Sequence, residues 1–161
     1  MSRVDNEVRI TPSVLDRLID DRPDQSRDAP ATRQTSLRLL KEAVRRDLEW
    51  LLNARLTADS VSDELPEVAK SLASYGLPDL TSANVHDPDG RDDLRRAIEK
   101  AVIVFEPRLE GVEVELDRVV EGERSVRFRI EARLRVEPTP EPVVFDTMLQ
   151  IGNGEFRVKG D

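Results

Sequence analysis

Glu106 and Arg108, on either side of Pro107, are the acid and base that the sequence holds closest to a fixed geometry. A guanidinium two residues from a carboxylate favours the ionised acid and can grip it through two parallel hydrogen bonds. That is the chemistry of a permanent ion pair. A glycan hydrolase needs the reverse, one carboxyl with a raised pKa facing a second, ionised carboxylate across a sugar-sized cleft. The chain carries 33 aspartates and glutamates, so acids elsewhere do not single out such a pair. His86 is the only histidine, and a Ser-His-Asp site would rest on it alone. There is no cysteine, so a metal site would have to be built from carboxylates. Neither phosphate-cradling glycine pattern, Gly-x-x-x-x-Gly-Lys or Gly-x-Gly-x-x-Gly, occurs. No catalytic residue, cofactor or small-molecule substrate is expected. Two readings of Glu106-Pro107-Arg108 stay open: a brace for the local turn, or a bidentate contact across an interface.

A second charged constellation lies further on. Val126, Phe128, Ile130, Ala132, Leu134 and Val136 alternate with Arg127, Arg129, Glu131, Arg133, Arg135 and Glu137, which predicts a strand with one buried face and an arginine comb on the other. A strand carrying Val112, Val114 and Leu116 precedes it, with Glu113, Glu115 and Asp117 on its outer face. Pairing across a hairpin bent at Glu121-Gly122-Glu123 would set the comb against these acids. The comb is then either a self-satisfied solvated face or a partner-binding patch.

The elements that must position these groups follow from periodicity. Leu94, Ala97, Ile98, Ala101, Val102 and Phe105 recur at three- and four-residue steps, predicting a helix that Pro107 ends. Leu37, Leu40, Val44, Leu48 and Leu51 mark the strongest helix, expected from Thr35 or Ser36 to about Leu52, with Trp50 anchoring its end in the core and Asn53 closing it in a left-handed conformation. Thr11-Pro12 is a helix start whose short apolar face, Val14, Leu15, Leu18 and Ile19, docks on the chain's own core or on a partner. Leu65, Val68, Leu72 and Tyr75 predict a shorter helix stopped by Gly76, with Leu77 and Leu80 pinning the turn, and Asp87 to Asp92 a polar loop. Pro138, Pro140 and Pro142 form a stiff connector to strands at Val143–Ile151 and Phe156–Val158, the last an exposed edge. The fold class is α+β: N-terminal helices packed on a small, mainly antiparallel C-terminal sheet. Residues 1–34 are expected to be a short helix with a charged linker, and 35–161 a single domain.

Composition sets the limits. At 161 residues one domain with a real core is expected, mostly aliphatic because aromatics are 4% while charged residues reach 36%. A net charge of −8 argues against a nucleic-acid partner. No apolar run approaches a membrane span, and the opening MSRVDNEVRI lacks a secretory signal's apolar region, so cytoplasm is expected.

Several stretches resemble one family. Phe105-Glu106-Pro107-Arg108-Leu109 with its following strand, Leu51-Leu52-Asn53-Ala54-Arg55, the turn Tyr75-Gly76-Leu77-Pro78-Asp79, and Ser13-Val14-Leu15-Asp16-Arg17-Leu18 are similar, in the same order, to motifs of TssE, the small baseplate subunit of type VI secretion systems. That family is itself similar to the wedge protein of contractile phage tails, historically labelled lysozyme-like. Ala54 stands where the family has threonine. The resemblance implies a non-enzymatic subunit that joins the TssF and TssG wedge and gives the sheath proteins TssB and TssC a platform. By carry-over Glu106, Pro107 and Arg108, with Leu15 and Leu18, would face the wedge. Arg127, Arg129, Arg133, Arg135, Phe156 and Val158 would lie on the sheath-facing strands. A generic cytoplasmic adaptor, or a lysozyme-like hydrolase, are the alternatives.

Overall fold

The computed structural model describes residues 10–19, 24, 32–56, 65–78, 87–117, 125–151 and 153–160. His86, Leu80, the Glu121–Glu123 bend and the prolines at 23 and 30 lie outside them. Two long helices cover one face of a four-stranded sheet. α1 is Val14–Leu18, α2 Arg33–Asn53, α3 Pro66–Ala69 and α4 Pro88–Phe105, with a 3-10 turn at Leu72–Ser74. The strands are β1 Leu109–Leu116, β2 Ser125–Leu134, β3 Glu141–Gln150 and β4 Glu155–Gly160, in spatial order β1-β2-β3-β4 and antiparallel throughout. This is the α+β arrangement expected from the sequence. α2 lies over β4 and α4 over β1. Between the layers sit Val44, Leu48, Leu52, Leu94, Ile98 and Val102, packed on inward residues of all four strands, including Val114, Phe128, Ile130, Phe145 and Phe156.

Several boundaries differ from the sequence expectation, each for a local reason. α1 is capped by Ser13, whose hydroxyl accepts from the Asp16 N–H at 3.1 Å while the Asp16 carboxylate accepts from the Ser13 N–H at 3.2 Å. α2 begins earlier, because the Thr32 hydroxyl accepts from the Thr35 N–H. The loop expected at Asp87–Asp92 is helical from Pro88. Proline at the first helical position is already set for the helix, and Asp89 complements the N-terminal dipole. The helix expected over Leu65–Tyr75 instead breaks into the four-residue α3 and the 3-10 turn, leaving Leu65 and Leu72 exposed. Pro142 is drawn into β3 opposite Arg133.

Trp50 is not a core anchor. It is 51% exposed, with the Arg46 guanidinium 5.0 Å over its ring. Asn53 is helical, and no non-glycine residue among those described has positive φ. Near this helix end a positive φ falls instead at Gly76, 109°, where a Cβ would run into the Ala54 carbonyl oxygen. Ala54 accepts from the Leu77 N–H and Leu77 from the Leu56 N–H, so the two recognised stretches fit against one another.

Candidate functional site

α4 ends where its last turn meets Glu106-Pro107-Arg108, and the backbone reverses into β1 with the Leu109 N–H bonded to the Glu106 carbonyl. Glu106 is 4% exposed. Burying a carboxylate is costly unless it is paired, and Arg108 meets that need. Its Nε donates to Glu106 Oε1 at 2.6 Å and its Nη2 to Oε2 at 2.5 Å, while its own backbone N–H reaches Oε1 at 3.3 Å. The same guanidinium crosses to α2, where Nη2 donates to Asp47 Oδ2 at 2.5 Å. Burial alone would lower the Arg108 pKa; its hydrogen bonds to Glu106 and Asp47 raise it well above the ordinary arginine value instead. The cation is permanent.

The pairing continues outward. Asp47 accepts from Arg46 at 2.8 Å, and Arg46 donates to Asp16 of α1, also at 2.8 Å. Glu106, Arg108, Asp47, Arg46 and Asp16 thus form one alternating chain of charge from the buried helix-to-strand junction to the front helix. Burial pushes the Asp16 carboxyl up, but hydrogen bonds from Ser13 and Arg46 outweigh it and hold the acid below its usual range. Tyr75 lies beside this chain, edge-on to Phe105, and burial together with the Asp47 and Glu106 charges pushes its phenol up. Of the expected wedge-facing residues, Glu106 is thus buried, Arg108 half-buried, and Pro107, Leu15 and Leu18 exposed, Leu18 by 76%. Glu106 and Arg108 pair within the chain.

The sheet places the other expected residues differently. Arg127, Arg129, Arg133 and Arg135 lie on the outer face, but a bulge at Gly111, φ 60°, shifts the β1 register by one residue. Glu113 therefore opposes Glu131, Arg133 and Arg135 share Glu110, and Arg129 turns to Asp146 on β3 at 3.0 Å. Phe156 and Val158 point inward and are core.

Their strand is also not the open edge that the sequence suggested. Asn53 Oδ1 accepts from the Phe156 N–H and Nδ2 donates to the Phe156 carbonyl, both at 2.9 Å. Glu49 accepts from the Val158 N–H and Arg45 donates to the Val158 carbonyl, both at 3.1 Å. Four helical residues rise about 6 Å and two strand residues about 6.7 Å, so side chains at 45, 49 and 53 keep step with backbone groups at 158 and 156. α2 acts as a fifth strand made of side chains. Sequence reasoning missed this ladder and the roles of Asp47, Arg46 and Asp16. The available signal was the polar row Lys41, Arg45, Glu49 and Asn53 at four-residue steps beside the apolar stripe of α2; Lys41 pairs with Glu141.

In this two-layer body the charged groups around Arg108 brace one element against another. The chain belongs to the baseplate wedge protein gp25 family, whose model matches residues 38–139, from α2 through β2 into the proline connector. TssE belongs to the same family, so the resemblance read from the motifs holds at that level, and the role it carries is structural, within a baseplate. Comparison with curated proteins gave no match. Among the described residues no helix is long and apolar enough to cross a membrane.

Proposed function

We propose that this chain is the TssE-type, non-enzymatic subunit of a type VI secretion baseplate. It works in the cytoplasm, joins the TssF and TssG wedge, and offers TssB and TssC a platform for sheath assembly. The observation that carries this reading is the family match over 38–139, which includes the Glu106-Pro107-Arg108 junction. Residues 1–34, carrying α1, serve as a docking arm, and 35–161 as the body. Leu15, Leu18, Pro107 and the outward side of Arg108 meet the wedge, with Glu106 holding Arg108 in place. The arginines of β2 face the sheath side. Neither nucleic acid nor a lipid bilayer is a partner in this reading.

Co-purification of the tagged chain from its native cell tests it. Recovery of TssF or TssG, lost with Leu15→Asp/Leu18→Asp, supports the wedge role; both leucines are exposed, so the body should fold unchanged. Recovery of unrelated proteins in place of wedge or sheath subunits would favour a generic adaptor.

A further inference from the structure

Under the front helix the described residues leave a space unfilled. The segment leading into α1 and the end of that helix stand over α2, and between them runs a groove of about 580 Å³. Ile10 and Ile19 line one side of it, and Leu39, Leu40, Ala43 and Arg46 the other. Elements packed at the density of a protein interior leave no such space. Leu39 is 43% exposed and Ile19 40%, and α1 buries none of its five residues, so the fit is loose.

We infer that this face of α2 is a docking seat for a protein segment of the pattern Ser/Thr-x-x-Asp/Glu-x-x-bulky apolar, and that α1 occupies the seat as a weak internal competitor. The source of that segment, a neighbouring subunit, rests on the baseplate reading. The arm itself shows what the seat takes. Ser13 holds one oxygen of Asp16 at the helix start, its N–H donating to Oδ2 at 3.2 Å and its hydroxyl to the same atom at 2.7 Å. The other oxygen, Oδ1, is thereby aimed at Arg46, whose Nη2 donates to it at 2.8 Å. Ile19, three residues on, lies on the same side and reaches the groove. Isoleucine leaves the groove unfilled, whereas a phenylalanine there would bury more apolar surface against Leu39, Leu40 and Ala43. A base in place of the acid would face Arg46 with like charge.

The arm is built to be displaced. A helix of five residues is marginal by itself, and one ion pair with both side chains partly in water holds little. Its advantage is its tether. Residues 20–31 join it to α2, which sets an effective concentration of order millimolar. A partner segment that fills the groove, carried by a subunit already held elsewhere on the body, overcomes that advantage. Displacement then releases α1 with Leu15 and Leu18.

The probe is a peptide of residues 10–19 with phenylalanine in place of Ile19, compared with the same peptide carrying asparagine in place of Asp16. Each is titrated into the full chain and read by peptide anisotropy and by Trp50 fluorescence, since Arg46 stacks on that ring. The receptors are wild type and Asp16→Lys, in which the arm's own contact with Arg46 becomes repulsive. The aspartate peptide should bind Asp16→Lys about tenfold more tightly than wild type, because the internal competitor is weakened. On that receptor it should also bind about tenfold more tightly than the asparagine peptide, which lacks the charged hydrogen bond to Arg46. Leu39→Asp, added to Asp16→Lys at a half-exposed position, should abolish binding; Leu39→Gln serves in its place if the aspartate unfolds the body. Equal affinity for the two receptors, equal affinity of the two peptides, undiminished binding after the Leu39 change, or no binding to Asp16→Lys would each overturn the seat. The baseplate reading is judged apart, by co-purification. If wild type recovers wedge subunits and the peptide results fail, the seat falls and the baseplate reading stands. If the peptide results hold and no baseplate or sheath protein is recovered, the seat stands and the baseplate reading falls.

Discussion

Arg108 carries two duties at once: it neutralises the buried Glu106, and it ties the α4–β1 junction to Asp47 on α2. Removing one partner of a buried pair costs more than removing both, because the survivor is left charged and unpaired. Arg108→Ala should therefore lower stability to urea by about 3 kcal/mol. Glu106→Gln/Arg108→Met should recover more than half of that loss; if the double substitution is as unstable as the single, the pairing is not what holds the junction. Trp50 gives the opposite expectation. Trp50→Ala should change stability by less than about 1 kcal/mol, since the ring is half in solvent and its main described contact is the stacked Arg46. The sequence showed that Glu106 and Arg108 are adjacent in the chain, not that Asp47, 61 residues away from Arg108, would complete the set.

The α2 ladder explains why β4 can stand at the side of the sheet without inviting a neighbour. Asn53→Ala should leave the Phe156 N–H and carbonyl unpaired, lower stability by about 1–3 kcal/mol, and accelerate exchange at Phe156 more than at the inner strands. Unchanged exchange there would mean that the side-chain ladder does not seal the strand. At the turn after the 3-10 segment, Gly76→Ala meets both a positive φ and the Ala54 carbonyl. A loss of about 2 kcal/mol or more is expected in thermal or chemical denaturation, as large as many core truncations despite the small side chain. β1 has no corresponding side-chain ladder among the described residues.

Across the whole molecule, the front helix is attached by charge more than by apolar burial: α1 buries none of its five residues, and Asp16 on Arg46 is its described salt bridge. Because the Asp16 pKa is lowered in the folded chain, the stability it contributes is fully present above the ordinary carboxylate value and is lost as pH falls through the lowered one. The Arg46–Trp50 stack reports this event. Tryptophan fluorescence should change on acidification below about pH 4, and Asp16→Asn should remove that step while leaving any later global unfolding; an identical acid profile in the variant would show that Asp16 does not govern the attachment. By itself the sequence determined what depends on near neighbours. Three- and four-residue spacing set α2 and α4, two-residue alternation set β1 and β2, Pro107 set the junction, and together these settled the α+β class. Burial follows such periods because each local geometry repeats its own faces. Only the tertiary structure decided which polar side chains serve as braces: Arg108 with Asp47, Asn53 with Phe156, and Glu49 and Arg45 with Val158 join residues 61 to 113 positions apart. The one-residue bulge at Gly111 likewise chose which acids face which arginines. Hydrogen bonds and ion pairs act over a few ångströms, so partners distant in the chain are fixed only when packing brings their elements together.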